Sequence, residues 1–348
     1  MTKFNFKISK DIEDDCLKKN WNSIYNHSDI NSFFSSYEWN HNLFKYVYCD
    51  KKSYFLSIYN ADECICIIPF YVLNILNLKV IFIYGDIISD YSTIVSQDIS
   101  YFEDFDINLC NILQSELKTK NIVFQKITNQ QELIIKKIFN LNHITAFTIY
   151  KTFQRKLKLI DDFYSFKAKI NSDTKRCLRK LHLKGKLKYI FDTKDINLQK
   201  LIFNTTLKFK SLQYQRTNQR NIFNENKYLN FYKSLLLESS NNISFSSLYL
   251  DNKMISAHIG YYKNKKYYYI FPSYDYRFKR YSPGKILLEY LLRSLSENKI
   301  SIFDFTIGDE NYKKNWSNSS EDIKSFIIGS YYFKFIFRGY ISLKSILS

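Results

Sequence analysis

The spacing of apolar positions changes period several times along this chain. Ser53 to Ile58, Cys64 to Leu73 and Val80 to Tyr84 are short apolar runs. The polar turn Asn60-Ala61-Asp62-Glu63 separates the first two, and Gly85-Asp86 ends the third, so three strands are predicted. Phe102 to Thr119 shifts to helical spacing, with Phe105, Leu109, Ile112, Leu113 and Leu117 on one face. A capped basic helix is predicted in the middle, with Ser172 as N-cap and Asp173 in its first turn. Lys175, Arg176, Arg179 and Lys180 share one of its faces; Cys177, Leu178 and Leu181 supply a packing face, and Gly185 can end it.

The last third has the clearest pattern. Ile243 to Leu250, Lys253 to Tyr262 and Lys266 to Pro272 read as strands. The short turns Asp251-Asn252 and Asn264-Lys265 join them into an antiparallel meander. A helix follows, carrying Ile286, Leu287, Leu288, Leu291, Leu292 and Leu295. Then come a strand from Ile300 to Ile307, a polar stretch from Gly308 to Trp316, a strand from Ser325 to Ser330 and a mixed apolar and basic tail helix. Strands and helices mix without a repeating alternation, which predicts an α+β fold.

Between meander and helix lies Arg280-Tyr281-Ser282-Pro283-Gly284-Lys285. The chain has only three prolines and seven glycines, so their pairing here stands out. A helix start offers unpaired N–H groups and the positive end of its dipole. Pro283 suits the first helical turn, Gly284 leaves the backbone approachable, and Arg280 and Lys285 add charge, as a phosphate site requires. Ser-Pro at a helix start is equally the mark of ordinary N-capping.

Composition narrows the class. A chain of 348 residues suggests two domains. The net charge of +18 is uneven: residues 1–150 carry −3, residues 151–220 carry +14 and residues 221–348 carry +7. That asymmetry places a domain boundary near residue 150 and an anionic partner on the basic segment 151–220. Abundant Lys, Asn, Ile, Tyr and Phe look like base-composition bias, which weakens any argument from a single Lys or Tyr. No apolar h-region follows the first residues, and the most apolar run, Ile67 to Tyr84, is broken by Asn74, Asn77 and Lys79. It falls short of the roughly 18–20 apolar residues of a membrane span. Cys16, Cys49, Cys64, Cys66, Cys110 and Cys177 have neither redox nor zinc spacing and read as reduced thiols of a cytoplasmic protein. Nothing in the sequence points to a metal.

Two strands carry candidate chemistry. Alternation puts Met254, Ser256, His258 and Gly260 on one face and Ile255, Ala257 and Ile259 on the other. His258 is then either a base facing substrate or a structural histidine. Asp304, inside an aromatic strand, is costly unless paired. It either binds a substrate amine or ties down Tyr312 or Lys313. Pro272 ends an edge strand or interrupts the ladder before Ser273.

At these residues the chain resembles the GNAT acyltransferase superfamily, and more closely its CelD-like acetyltransferase branch, related to the FemAB peptidyltransferases. The resemblance rests on Ser256-Ala257-His258-Ile259-Gly260 with Tyr274-Asp275, on Tyr281 to Leu288, and on Phe303-Asp304-Phe305-Thr306-Ile307-Gly308-Asp309-Glu310-Asn311-Tyr312-Lys313. Arg176 to Leu181, Ser36-Tyr37-Glu38-Trp39 and Ile68-Pro69-Phe70 match more loosely. The Ser-Pro-Gly loop departs from the glycine-richer loop of better-known GNAT enzymes.

The resemblance implies two GNAT-like domains with mixed, largely antiparallel sheets flanked by helices. One would cover 1–150 and lack catalysis; the other, 151–348, would carry the acyltransferase. It implies acyl-CoA, with acetyl-CoA first, whose diphosphate sits on Arg280, Tyr281, Ser282, Pro283, Gly284 and Lys285. The pantetheine arm would pair with free backbone near Pro272 and Ser273. Tyr312 would be the acid for the leaving thiolate, and Lys313 matches a FemAB-type Tyr-Lys pair facing an anion. The expected function is an acyl-CoA-dependent N-acyltransferase acting on an amine of a small or envelope-related acceptor. The alternatives are a FemAB-type aminoacyltransferase using charged tRNA, favoured by segment 151–220, and a basic nucleic-acid-binding module. A carrier protein could also meet that segment.

Overall fold

The computed structural model describes residues 4–85, 88–141, 147–159, 173–238 and 242–337. The expected N-cap Ser172 lies outside them. The chain divides into two compact units, residues 1–153 with 321–348, and residues 154–320. Each is an α+β domain with a mostly antiparallel sheet. Residues from Glu321 onward lie with the first unit, not with the C-terminal half where the charge step puts them.

In the first unit, β1 (Phe4–Ser9), β2 (Lys52–Asn60), β3 (Glu63–Ile75) and β4 (Leu78–Ile83) run antiparallel in order, and short β5 (Val95–Ser96) pairs β3. Strand β6 (Ile122–Ile127) joins β4 in parallel. Helices α1 (Asp15–His27) and α2 (Tyr37–Asn42) precede β2, while α3 (Leu109–Leu117) and α4 (Asn129–Ile138) flank β6. The helix expected over Phe102–Thr119 starts only at Leu109. Asn108 accepts the Cys110 N–H and caps it, so Phe102 and Phe105 reach the core from a loop.

In the second unit, β8 (Leu187–Ile190), β9 (Ile243–Leu250), β10 (Lys253–Lys263) and β11 (Lys266–Tyr274) form the expected meander with one strand added at its edge. Helix α8 (Pro283–Glu297) crosses over to β12 (Ile302–Ile307), parallel to β11. Strand β7 (Phe147–Lys158) pairs antiparallel with β12. Around the sheet stand α5 (residues 173–182), α6 (Ile196–Arg216), α7 (Asn226–Glu238) and α9 (Asn311–Trp316). The apolar stripe of α8 is buried as its spacing requires: Leu288, Leu291, Leu292 and Leu295 pack on Tyr267, Tyr269, Phe303 and Phe305. At about 1.5–3 kcal/mol per buried large side chain, this stripe anchors the helix. Cys177 and Leu181 of α5 join Leu248, Ile286 and Leu287, while Lys175, Arg176, Arg179 and Lys180 stay exposed.

Strand β13 (Ser319–Ile328) starts and ends earlier than expected and pairs with β6 from Lys324 to Ile328. Helix α10 (residues 331–337) follows it. Among the described residues no helix is long and apolar enough to cross a membrane.

Candidate active site

The entrance to α8 is built by its flanks. Asp275 caps a 3-10 turn, Tyr276–Tyr281, accepting the Arg277 N–H at 3.1 Å and gripping its guanidinium at 2.6 and 2.9 Å. Burial would raise the Asp275 carboxyl, but Arg277 and Lys253 hold it below the usual range. Asp275 is thus a turn residue. Ser282 is left-handed, with φ 49°, and its carbonyl accepts the N–H groups of Lys285 and Ile286 at 3.0 and 3.2 Å. Its hydroxyl makes no capping bond, so the capping reading of Ser-Pro fails. Pro283 holds the first helical position. The Gly284 N–H has no acceptor among the described residues.

A methyl group at Gly284 would meet only Tyr274 Cδ1 at 3.5 Å. The protein itself does not require glycine there, and the space beside it is open. Arg280 lies over the Tyr281 ring at 4.8 Å and has no acidic partner among the described residues. Lys285 is bound to Asp173 at 3.1 Å, and Arg176 contacts the other oxygen of that carboxylate at 2.6 Å. These two cations hold Asp173 below the ordinary range. Arg216, at the end of α6, stacks over Tyr276 at 4.0 Å, and Lys279 bonds the Tyr276 hydroxyl at 2.7 Å, which lowers its pKa. Sequence reading missed Arg216, Lys279 and Asp173. Arg216 lies some sixty residues from the loop in sequence and no local spacing could reveal it.

Beside this entrance the sheet opens. Strands β11 and β12 pair over Lys266↔Ile302, Tyr267↔Phe303 and Tyr268↔Asp304 only. Beyond that β11 runs on to Tyr274 and β12 to Ile307 without each other, leaving main-chain groups available to an extended ligand. A bulge where Ile259 and Gly260 face Phe271 and Tyr269 bends β11, and Thr306, φ 60°, bends β12. Pro272 does not end its strand: it pairs with His258, and β11 continues through Ser273, whose hydroxyl donates to Ala257 O at 3.0 Å. The opening therefore begins at Tyr268, earlier than Pro272.

His258 is fully buried and does not lie on an open face. It stacks on Tyr269, ring centres 4.4 Å apart, and its Nδ1 meets the Tyr267 hydroxyl at 3.2 Å; Nε2 has no partner among the described residues. Burial, then the charge of Lys210, pushes its pKa well below 6.5, so the imidazole is neutral at pH 7. The simple alternation expected for β10 breaks at Ile255, the extra residue of a second bulge. Ile255 packs with Ile286 and Leu287, whereas Ile259 lines an apolar seam with Phe203 and Tyr232.

Asp304, 2 % exposed, accepts from Gln154 Nε2 and from the Thr306 N–H, both at 2.8 Å. Through these bonds it ties β7, β12 and the turn at Thr306 together. Tyr312 packs edge-on to Phe305, and its hydroxyl, after burial, adds to the upward shift of Tyr269. Lys313 is buried, with Nζ on Ile307 O at 2.6 Å and on Glu310 at 3.2 Å. Its charge is therefore already answered inside the protein.

The α8 entrance, with its Gly284 N–H unpaired among the described residues, stands beside the two diverging parallel strands β11 and β12. Residues 168–314 match the family model "Acetyltransferase (GNAT) domain", and this stretch belongs to the GNAT superfamily. Its motif set fits the CelD-like branch. FemX is similar in structure, with TM-score 0.60, 10% identity and coverage of 89% of this chain and 95% of that one. A conserved protein of unknown function from Bacteroides thetaiotaomicron VPI-5482 is similar too, at TM-score 0.58 and 12% identity, over 94% of this chain and 100% of that one. So is the C-terminal DUF2156 domain of a putative lysylphosphatidylglycerol synthetase from Agrobacterium fabrum, at TM-score 0.50 and 11% identity, over 76% and 80%. At these identities the likeness is one of fold. No curated protein matches the chain.

Proposed function

We propose that this protein is an acyl-CoA-dependent N-acyltransferase, with acetyl-CoA the favoured donor and an amine on a small or envelope-related molecule as acceptor. The carrying observation is the α8 entrance: an uncapped helix start, open space over Gly284 and an unanswered Arg280, adjoining the β11–β12 opening. The diphosphate would lie on the unpaired Gly284 N–H at the start of α8, with Arg280 and Lys285 beside it. The acyl-pantetheine arm would extend along β11, past Ser273 and Pro272. The acceptor amine attacks the thioester carbon directly, the carbon–sulfur bond breaks, the thiolate takes a proton from Tyr312, and the proton lost by the amine returns through water to the Tyr312 phenolate. Neutral His258 acts from the interior by holding Tyr267 and Tyr269, and Asp304 and Lys313 keep the ends of β12 in place.

The first unit has a different entrance at the comparable parallel crossover. There α3 is capped by its own Asn108 and preceded by exposed Glu103, Asp104 and Asp106. Three carboxylates repel a diphosphate, which supports a non-catalytic N-terminal half. The exposed lysines and arginines of α5 favour, as a second reading, a polyanionic donor such as charged tRNA or a carrier protein on segment 151–220. A cytoplasmic location follows from either donor.

Titration of acetyl-CoA into the wild type and into Arg280→Glu/Lys285→Glu by calorimetry tests the first reading. The double variant should bind at least about tenfold more weakly, as loss of charge-assisted phosphate contacts demands. Equal affinity rejects the loop assignment; protection of tRNA by residues 151–220 without thioester binding favours the second reading.

A further inference from the structure

The cations around the α8 entrance fall into two groups. Asp275 answers Arg277 at 2.6 Å and Lys253 at 3.7 Å, and Asp173 answers Lys285 and Arg176. Arg216, Lys279 and Arg280 are exposed and have no acidic partner among the described residues. Two of these three meet on a single ring. The Arg216 guanidinium lies 4.0 Å from the centre of the Tyr276 ring. Lys279 Nζ lies 4.5 Å from that centre and 2.7 Å from the hydroxyl. The Lys279 hydrogen bond and, after it, the charge of Arg216 lower the Tyr276 pKa. Tyr276 is 40% exposed, and Tyr274, whose ring lies beside Gly284, is 37% exposed.

An exposed aromatic ring with a guanidinium over it is a stacking platform for a nucleobase. Tyr276 opens the 3-10 turn that ends at Tyr281, just before the left-handed Ser282. At about 2 Å of rise per residue, this turn spans roughly 12 Å. That separation suits a nucleoside joined to a diphosphate at the α8 entrance. The course of β11 agrees with it. A pantetheine arm running from Tyr274 back toward Tyr268 leaves the opposite end of the donor where β11 continues into the turn. Charge adds a further requirement. Gly284, Arg280 and Lys285 already face the diphosphate, so Arg216 and Lys279 call for another anionic group.

We propose that Tyr276, Arg216 and Lys279 form a subsite for the nucleoside end of the donor. The Tyr276 ring takes the base, and the two cations take a phosphate carried on its ribose. The subsite rests on the thioester-donor reading above and makes the protein discriminate coenzyme A from its 3′-dephospho form.

Calorimetry of the full chain with acetyl-CoA and with acetyl-3′-dephospho-CoA tests this. The wild type should bind the dephospho thioester about tenfold more weakly. Arg216→Gln/Lys279→Gln should bind acetyl-CoA about tenfold more weakly than the wild type does. It should bind the dephospho form with wild-type affinity, because the partner of both cations is already missing. Tyr276→Leu should weaken both thioesters alike, by about tenfold, through lost stacking. All three side chains are exposed, so these variants should keep the wild-type circular dichroism melt. A double variant that loses affinity for both thioesters equally overturns the subsite, since a merely structural role would do that. Equal wild-type affinity for the two thioesters overturns the subsite and leaves the donor reading standing. Binding of neither thioester overturns both. Charged tRNA bound in their place, and lost in the double variant, overturns the proposal in favour of an RNA.

Discussion

Gly260 shows how one missing side chain shapes the interior next to the site. The Tyr267 ring passes directly over it to reach His258, and a methyl there would collide with the tyrosine hydroxyl. Gly260→Ala should therefore cost about 1–3 kcal/mol, as overpacking of a filled core does, read as a lower urea midpoint. Gly284→Ala should behave in the opposite way. The fold accepts the methyl, so the melting temperature should hold or rise, while acetyl-CoA affinity falls because the methyl occupies ligand space. His258 gives a pH signature. Its pKa is depressed in the folded state, so the unfolded chain binds the extra proton below about 6.5. Stability should be complete above that pH and decline as pH falls toward 5. In His258→Phe that part of the decline should flatten by at most about 1.4 kcal/mol per pH unit, followed by denaturation at several pH values.

At the scale of elements, the α8 entrance combines parts with separate duties. The 3-10 turn before it is held by Asp275 and Arg277, so the loop arrives shaped. Lys285 is partly neutralised by Asp173, whereas Arg280 has no acidic partner among the described residues. Single substitutions should separate them: Arg280→Glu should weaken acetyl-CoA binding more than Lys285→Glu does, measured by calorimetry. Asp173→Ala should leave Lys285 fully charged toward the ligand and tighten binding at low salt, an effect that added salt removes. The opening between β11 and β12 is likewise a property of elements. One bulge in β11 and a left-handed Thr306 in β12 turn strands that would otherwise pair along their length.

For the whole molecule, the division into units matters more than the order along the chain. The last strand completes the first unit: Phe326 stacks on Phe124, ring centres 5.0 Å apart, and Lys324 pairs with Glu132. A chain ending at Ser320 should expose β6 and leave β9, β10 and β11 intact. Hydrogen exchange should then quicken at Val123 to Ile127 by orders of magnitude while amides of the meander stay protected. Equal protection in both chains would place the last strand's contribution elsewhere.

Much of the second unit could be read from local pattern. Alternation and two-residue turns marked the meander, the apolar stripe marked α8, and Ser-Pro-Gly marked its entrance. Periodicity is a local property, so it survives in the sequence. What failed to show was non-local or irregular. The bulge at Ile255 changes which side chains of β10 face where, and His258 lies inside a ring cluster. Sequence alone thus determined the order of elements from β9 to β12, the position of the helix entrance and the uneven charge. Tertiary structure decided that Ser282 does not cap, that Lys313 and Lys285 are already paired, and that β11 and β12 part at Tyr268. The physical reason is that pairing, burial and strand divergence depend on residues brought together from far apart, and no local spacing encodes them.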